Sequence, residues 1–178
     1  MEKKDIVLDV KKLNTSFISD KKEIKIVKDV SFQLKRGTTL AIVGESGCGK
    51  SVTVHSVMRL LASNSKFSAE KVAYLEKKED GSIVEHDLGK MNPRGKEIRA
   101  LRGPHLSMVF QDPMSSLNPI ITIGKQITSV ILKHQKCSEL EARERAIVMM
   151  KKVGIPNAEA RFDDYPFQYS GGMRQRIV

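Results

Sequence analysis

Between residues 38 and 61 the chain changes from an extended to a helical pattern across a run with three glycines in eight residues. This junction constrains the fold more than any other feature. Thr38-Thr39-Leu40-Ala41-Ile42-Val43 reads as a buried strand, being short, apolar and rich in β-branched residues. Gly44-Glu45-Ser46-Gly47-Cys48-Gly49-Lys50-Ser51 follows at once. Val54, Val57, Met58 and Leu61 then fall at i, i+3, i+4 and i+7, one face of a helix. Glycines let the turn curl with its N–H groups pointing inward, where a Cβ would obstruct. The helix, expected to begin near Gly49, directs the positive end of its dipole at the same point. Strand, tight turn and helix in sequence predict an α/β architecture.

The eight residues match G-x-x-x-x-G-K-[ST], the phosphate-binding P-loop pattern. Lys50 is placed to reach the β- and γ-phosphates of a nucleotide as a point charge, and the Ser51 hydroxyl to coordinate Mg²⁺. The candidate nucleotide contacts are Gly44, Glu45, Ser46, Gly47, Cys48, Gly49, Lys50, Ser51 and Val52, and the alternative is a structural glycine turn. Cys48 occupies a variable position that accepts small residues, so loop geometry explains it better than a redox role.

Composition narrows the class. The 178 residues carry a formal charge of +10, with 40% hydrophobic and 29% charged residues. This is globular composition and large enough for a core. The excess charge is spread as +4 over residues 1–36, +3 over 37–110 and +3 over 111–178. A solvated basic surface therefore explains it better than a nucleic-acid arm. No apolar run is long enough for a membrane span. Met1-Glu2-Lys3-Lys4-Asp5 does not read as a signal peptide. Two cysteines, Cys48 and Cys137, are too few for a disulfide framework and fit a reducing compartment.

Elsewhere, Ile6–Val10 and Ile24–Leu34 read as strands with a polar turn at Ser19–Lys22. Val72–Leu75 and Ile83–Val84 read as a hairpin around Asp80-Gly81. Leu106–Phe110 reads as a further short strand, followed by turn chemistry from Gln111 to Pro119. Ile123, Ile127, Val130 and Ile131 then share a helical face. Ser138-Glu139-Leu140-Glu141 is a capping box. Its helix carries Ala146, Met149, Met150 and Val153 on one face and ends at Gly154 and Pro156. The chain therefore divides into a strand-rich part over about 1–110, a loop over 111–119 and a helical part over about 120–178.

Gln168-Tyr169-Ser170-Gly171-Gly172-Met173-Arg174-Gln175-Arg176 resembles the signature motif of the ATP-binding-cassette (ABC) ATPases, usually L-S-G-G-Q, here with Tyr169 first and Met173 last. Ser170 lies 120 residues beyond Lys50, which suits that family. Met108-Val109-Phe110-Gln111-Asp112-Pro113 is similar to its Q-loop. Residues 111–119 and 170–176 resemble the oligopeptide/dipeptide-permease branch, whose members energise import of peptides and, in some cases, nickel.

The resemblance implies an ABC-type P-loop NTPase with an antiparallel β-subdomain and a helical subdomain. It implies ATP and Mg²⁺ as cofactors, with Ser51 and Gln111 at the metal and Gln111 at the attacking water. Ser170, Gly171, Gly172 and Met173 would bind ATP across a head-to-tail dimer, and Phe17 is the candidate for stacking on adenine. The implied partners are transmembrane permease subunits, a second ATP-binding subunit and, indirectly, a peptide-binding protein. Nucleic acid is not among them. The implied location is the cytoplasmic face of the membrane. The implied function is coupling of ATP hydrolysis to peptide uptake.

The chain ends at Val178, inside the helix expected after the signature. No apolar run ending in Asp-Glu is present, so the family's Mg²⁺-binding Asp, catalytic Glu and switch His have no counterpart. The expectation is therefore an N-terminal fragment that binds nucleotide weakly and hydrolyses it negligibly, with strands left unpaired beside the absent central one. The rivals are a non-catalytic nucleotide- or partner-binding module and a soluble ABC ATPase acting on nucleic acid. His55, His86, His105 and His134 have no metal-ligand spacing. Phe162, Tyr165, Phe167 and Tyr169 are expected to pack the signature segment rather than stack on bases.

Overall fold

The computed structural model describes residues 5–178, which leaves Met1 to Lys4 outside the described residues. The chain divides into two compact units, one ending at Arg102 and one spanning Gly103–Val178.

The first unit is built on an antiparallel sheet in which β1 (Ile6–Ser19) pairs with β2 (Lys22–Lys35) on one side. The turn between them is tight. Asp20 and Lys21 both take positive φ, 49° and 62°, as a type I′ hairpin requires. β1 runs well past the expected Val10 because it has two partners along its other edge. Leu8–Lys11 pair with β4 (Lys71–Lys77), and Asn14–Phe17 pair with β3 (Ser65–Ser68). Between these stretches the register shifts and Lys12 takes φ 47°, a bulge that redirects the strand. Asn14 pins it, its amide nitrogen donating to Lys12 O at 2.9 Å and to Asp29 Oδ1 at 3.0 Å. β5 (Ile83–Asp87) closes the expected hairpin against β4, with Gly81 at φ 80° in the turn.

A polar ladder crosses all four strands in the order β2-β1-β4-β5. Gln33 Nε2 donates to Asp9 Oδ1 at 2.9 Å, and Lys71 Nζ lies 3.3 Å from Asp9 and 2.9 Å from Glu85. Burial opposes ionisation of Asp9, but the Gln33 amide and the Lys71 ammonium outweigh it and hold the carboxyl below its ordinary range. Val10, Leu13 and Val72 are buried in the apolar interior, and Ala73 and Leu75 form a buried cluster with Ile6.

Two expected strands are not strands. Residues 38–44 have no regular structure, and Leu40, Ile42 and Val43 are exposed, Val43 by 89%. Residues 107–110 are likewise irregular, with Val109 exposed by 75%. Neither segment belongs to the sheet among the described residues, and extended chain outside a ladder is not a strand.

The helix after the glycine turn, α1 (Lys50–Val57), is also shorter than its periodicity suggests. Met58 caps it, leaving Leu61 beyond its end. α2 (Lys96–Leu101) follows the β4–β5 hairpin.

The second unit is helical: α3 (Ile123–His134), α4 (Glu139–Lys152), α5 (Ala158–Arg161) and α6 (Gly171–Ile177). The capping box at α4 is formed as expected. Ser138 Oγ accepts from Glu141 N at 3.3 Å, and Glu141 Oε2 accepts from Ser138 N at 2.8 Å. The buried face of α4 is Ala142, Ala146 and Met150, a spacing of four, whereas Met149 and Val153 are exposed. Val130 of α3 is exposed too. The core gathers Ile123, Ala146, Met150, Ile155, Ala158, Phe162, Tyr169 and Met173. Gly124 is needed where α3 meets Phe162, since a Cβ there would lie 2.4 Å from the ring. Among the described residues no helix is long and apolar enough to cross a membrane.

Candidate functional site

The glycine run of the first unit forms the turn its sequence predicts. Gly47 and Gly49 take φ 79° and 97°, in the left-handed region that other residues rarely adopt. Gly49 also packs against β2. A Cβ there would lie 3.2 Å from the Ile26 carbonyl oxygen, so β2 crowds any side chain at a position already at positive φ. Gly49 caps α1, and its carbonyl accepts both Thr53 N at 2.8 Å and Thr53 Oγ1 at 2.9 Å. The first amides of α1 therefore stand at the mouth of the turn without intrahelical partners.

Lys50 Nζ folds back over the loop and donates to Gly44 O at 2.7 Å and Glu45 O at 2.6 Å, with Cys48 Sγ at 3.7 Å. An anion at the mouth would exchange these neutral acceptors for charged ones, which make stronger bonds. Ser51 is exposed beside Lys50, within reach of solvent ions. The cradle fits a nucleotide phosphate, and the exposed Ser51 hydroxyl at the helix start fits Mg²⁺. Cys48 is exposed, and its Sγ would lie 2.7 Å from a Cβ at Gly44, so loop geometry accounts for both residues. Val52 is half-buried in the first turn of α1. Phe17 lies in β1 opposite Ile24 of β2 and Ser65 of β3, half-buried, and is ordinary strand packing as well as a candidate stacking ring.

Gln111, Ser170, Gly171, Gly172 and Met173 belong to the second unit. Gln111 is exposed just before the 3₁₀ turn Pro113–Ser116. Ser170 caps α6, its Oγ accepting from Met173 N at 3.3 Å. Added Cβ atoms at Gly171 and Gly172 would meet nothing within 4 Å, so their backbone lies open to an approaching group. The two outer positions face the other way. Tyr169 and Met173 are buried in the helical core, so Met173 offers its backbone and not its side chain to the surface. Tyr169 Oη donates to Arg161 O at 2.6 Å, and burial pushes its phenol up to about 12. The neighbouring aromatics divide. Phe162 joins the same core, whereas Tyr165 and Phe167 are exposed and stack on each other at 5.9 Å.

The histidines hold no metal cluster among the described residues. His86 stacks on Tyr74 at 5.8 Å and meets Glu76 at 2.9 Å, a packing role. The sequence carries no signal for two features of this site. One is the approach of Ile26 to Gly49. The other is the clamp on the far end of α1 by Arg102, whose Nη2 donates to Met58 O at 2.7 Å. Both join positions far apart in the chain, and periodicity reports only neighbours.

Residues 27–178 match the ABC transporter family model. The chain is 44% identical to the dipeptide transport ATP-binding protein DppD of Lactococcus lactis subsp. cremoris, covering 97% of this chain and 46% of that protein. It is 42% identical to the oligopeptide transport ATP-binding protein AmiE of Streptococcus pneumoniae, covering 99% and 47%. The chain thus spans about half the length of these curated relatives. Among solved structures, the dimeric bacterial ABC transporter cassette MJ0796 superposes with a TM-score of 0.73 at 22% identity, over 96% of this chain and 66% of that one, which shows the fold. The glycine cradle before α1, the antiparallel sheet and the Ser170-capped segment are those of an α/β P-loop NTPase, and the chain belongs to the ABC transporter family.

Proposed function

We propose that this chain contributes the nucleotide-binding part of an ATP-binding subunit in an ABC importer for oligopeptides or dipeptides. The observation that carries the reading is the cradle at Gly44–Ser51, formed around left-handed glycines at the start of a helix. The names of the relatives in dipeptide and oligopeptide transport support the substrate class.

In this reading the amides of Gly47 to Ser51 hold the phosphates, with Gly44, Glu45 and Ser46 shaping the loop. Lys50 Nζ leaves its two backbone acceptors for the β- and γ-phosphate oxygens. Ser51 Oγ holds Mg²⁺, which neutralises charge on the phosphates. Val52 supports the first turn, and Phe17 stacks on the adenine. Gln111 contacts the metal or orients the attacking water. Ser170 and the N–H groups of Gly171 and Gly172 bind the γ-phosphate of a partner subunit's ATP, with Met173 fixing their position from the core. A second ATP-binding subunit, transmembrane permease subunits and, indirectly, a peptide-binding protein complete the assembly at the cytoplasmic face of the membrane. The Gln111–Pro119 loop, between the ATP-binding core and the helical subdomain, takes the permease contact.

Titration of the purified chain with a fluorescent ATP analogue and Mg²⁺ tests the cradle. Lys50→Ala should weaken binding by about tenfold or more, since charge-assisted hydrogen bonds each contribute about 1.5–3 kcal/mol. Equal binding by both proteins would reject the assignment.

A further inference from the structure

The far end of α1 is held by one side chain contributed from 44 residues along the chain. Arg102 follows α2. It donates Nε and Nη2 to Met58 O at 3.1 and 2.7 Å, and Nη2 also to Arg59 O at 2.8 Å. Its Nη1 donates to Pro93 O at 3.1 Å. Met58 is the C-cap of α1, so the guanidinium satisfies carbonyls that a helix end leaves without partners. Its charge also sits at the negative end of the helix dipole. Two further contacts brace the same end. Arg59, at φ 55°, lies 3.8 Å above the Phe67 ring of β3, and Ser56 Oγ shares a buried 2.7 Å hydrogen bond with Thr15 Oγ1 of β1.

α1 has only eight residues. Such a helix does not hold its own axis in water, so tertiary clamps must set it. At 1.5 Å per residue it is a lever about 12 Å long, and a tilt of about 10° at Met58 would move its start by about 2 Å. Its start is where Lys50 and the phosphate-facing amides stand. We propose that Arg102 is a positioning residue for nucleotide binding, fixing the axis of α1 and so aiming the cradle from its opposite end. This rests on the reading of Gly44–Ser51 as a phosphate cradle. The planar fork is essential to it. A lysine ammonium at 102 keeps the charge but cannot span the Met58, Arg59 and Pro93 carbonyls together.

The test combines Mg–ATP titration with hydrogen exchange of the full chain for the wild type, Arg102→Gln, Arg102→Lys and Arg36→Gln. Arg36 is the control. It donates to Leu75 O at 2.9 Å and so braces the sheet rather than α1. Arg102→Gln should speed exchange at the Gly49–Thr53 amides as well as near Met58, and raise the Kd for Mg–ATP by about tenfold, the effect of losing one charged hydrogen bond. Arg102→Lys should fail to restore either, and Arg36→Gln should change neither. Exchange confined to residues 56–60 with the Kd within about twofold of wild type would overturn the proposal, leaving Arg102 a local cap. If Arg102→Gln does not fold, Arg102→Lys carries both readouts. If the wild type and Lys50→Ala are equally unable to bind Mg–ATP, the nucleotide reading fails alone. Exchange at Gly49–Thr53 then decides whether Arg102 sets the loop.

Discussion

Val72-Ala73-Tyr74-Leu75 and Leu40-Ala41-Ile42-Val43 are apolar runs of the same length and nearly the same composition, in the same unit, with opposite fates. The first lies in β4 between β1 and β5, and none of its residues is more than 8% exposed. The second has no ladder partner among the described residues, and Val43 is almost fully exposed. Strand propensity does not separate them. A strand is a relation between segments, and its backbone groups need partners on both edges when buried. The first run has them in β5, across the hairpin, and in β1, far back in the chain, and the second does not. The proposed nucleotide site begins directly after this run, yet its glycine turn and helix are formed. Local chemistry is sufficient for the turn, because it depends on φ at Gly47 and Gly49 and not on the strand before them.

Hydrogen exchange should show the contrast most strongly. Amides of Val72–Leu75 should exchange orders of magnitude more slowly than those of Leu40–Val43, and equal protection would show that the second run is paired in solution. Truncation gives the next largest difference. Leu75→Ala should destabilise the first unit by about 2–5 kcal/mol, whereas Ile42→Ala should cost less than about 1 kcal/mol, both read from urea unfolding. A large effect at Ile42 would break the comparison.

Thr15→Val tests the tie between the sheet and α1. It removes the buried bond to Ser56, which keeps its own bond to Val52 O at 2.6 Å, so the expected cost is about 1 kcal/mol.

The two units should also differ in pH dependence. Asp9 has a lowered carboxyl pKa, so its contribution is complete above the unfolded value of about 4 and lost as pH falls through the lower folded value. Asp9→Asn should flatten the acid limb of the urea midpoint. Tyr169 titrates the other way. Its phenol is raised to about 12 in the folded chain, so its contribution holds below about 10 and is lost between those values. Tyr169→Phe should remove that alkaline loss, and an unchanged alkaline limb would place its origin elsewhere.

Much of the site was legible in the residues themselves. The spacing of Gly44, Gly49, Lys50 and Ser51 matches the P-loop pattern, and the turn and helix start it implies are formed because they answer local geometric needs. Ser138 with Glu141 named a helix start for the same reason. Helical faces were less legible. On α4 the apolar pattern admits Met149 and Val153, but packing chose Ala142, Ala146 and Met150, since small residues allow close approach. The signature segment shows both kinds of information. Its order of residues resembles the family motif, but only the packed core reveals that Tyr169 and Met173 face inward while Gly171 and Gly172 are open.

The sequence by itself determined the glycine turn, the hairpin at Gly81 and the capped start of α4, because φ preferences and side-chain caps act within a few residues. Tertiary structure decided that Thr38–Val43 is not a strand, that β1 has two partners divided by a bulge at Lys12, and that Arg102 clamps the end of α1. The last two join groups far apart in the chain, and the first reflects the lack of such a pairing. The free energy of such contacts is set by which surfaces meet, and no local pattern encodes it.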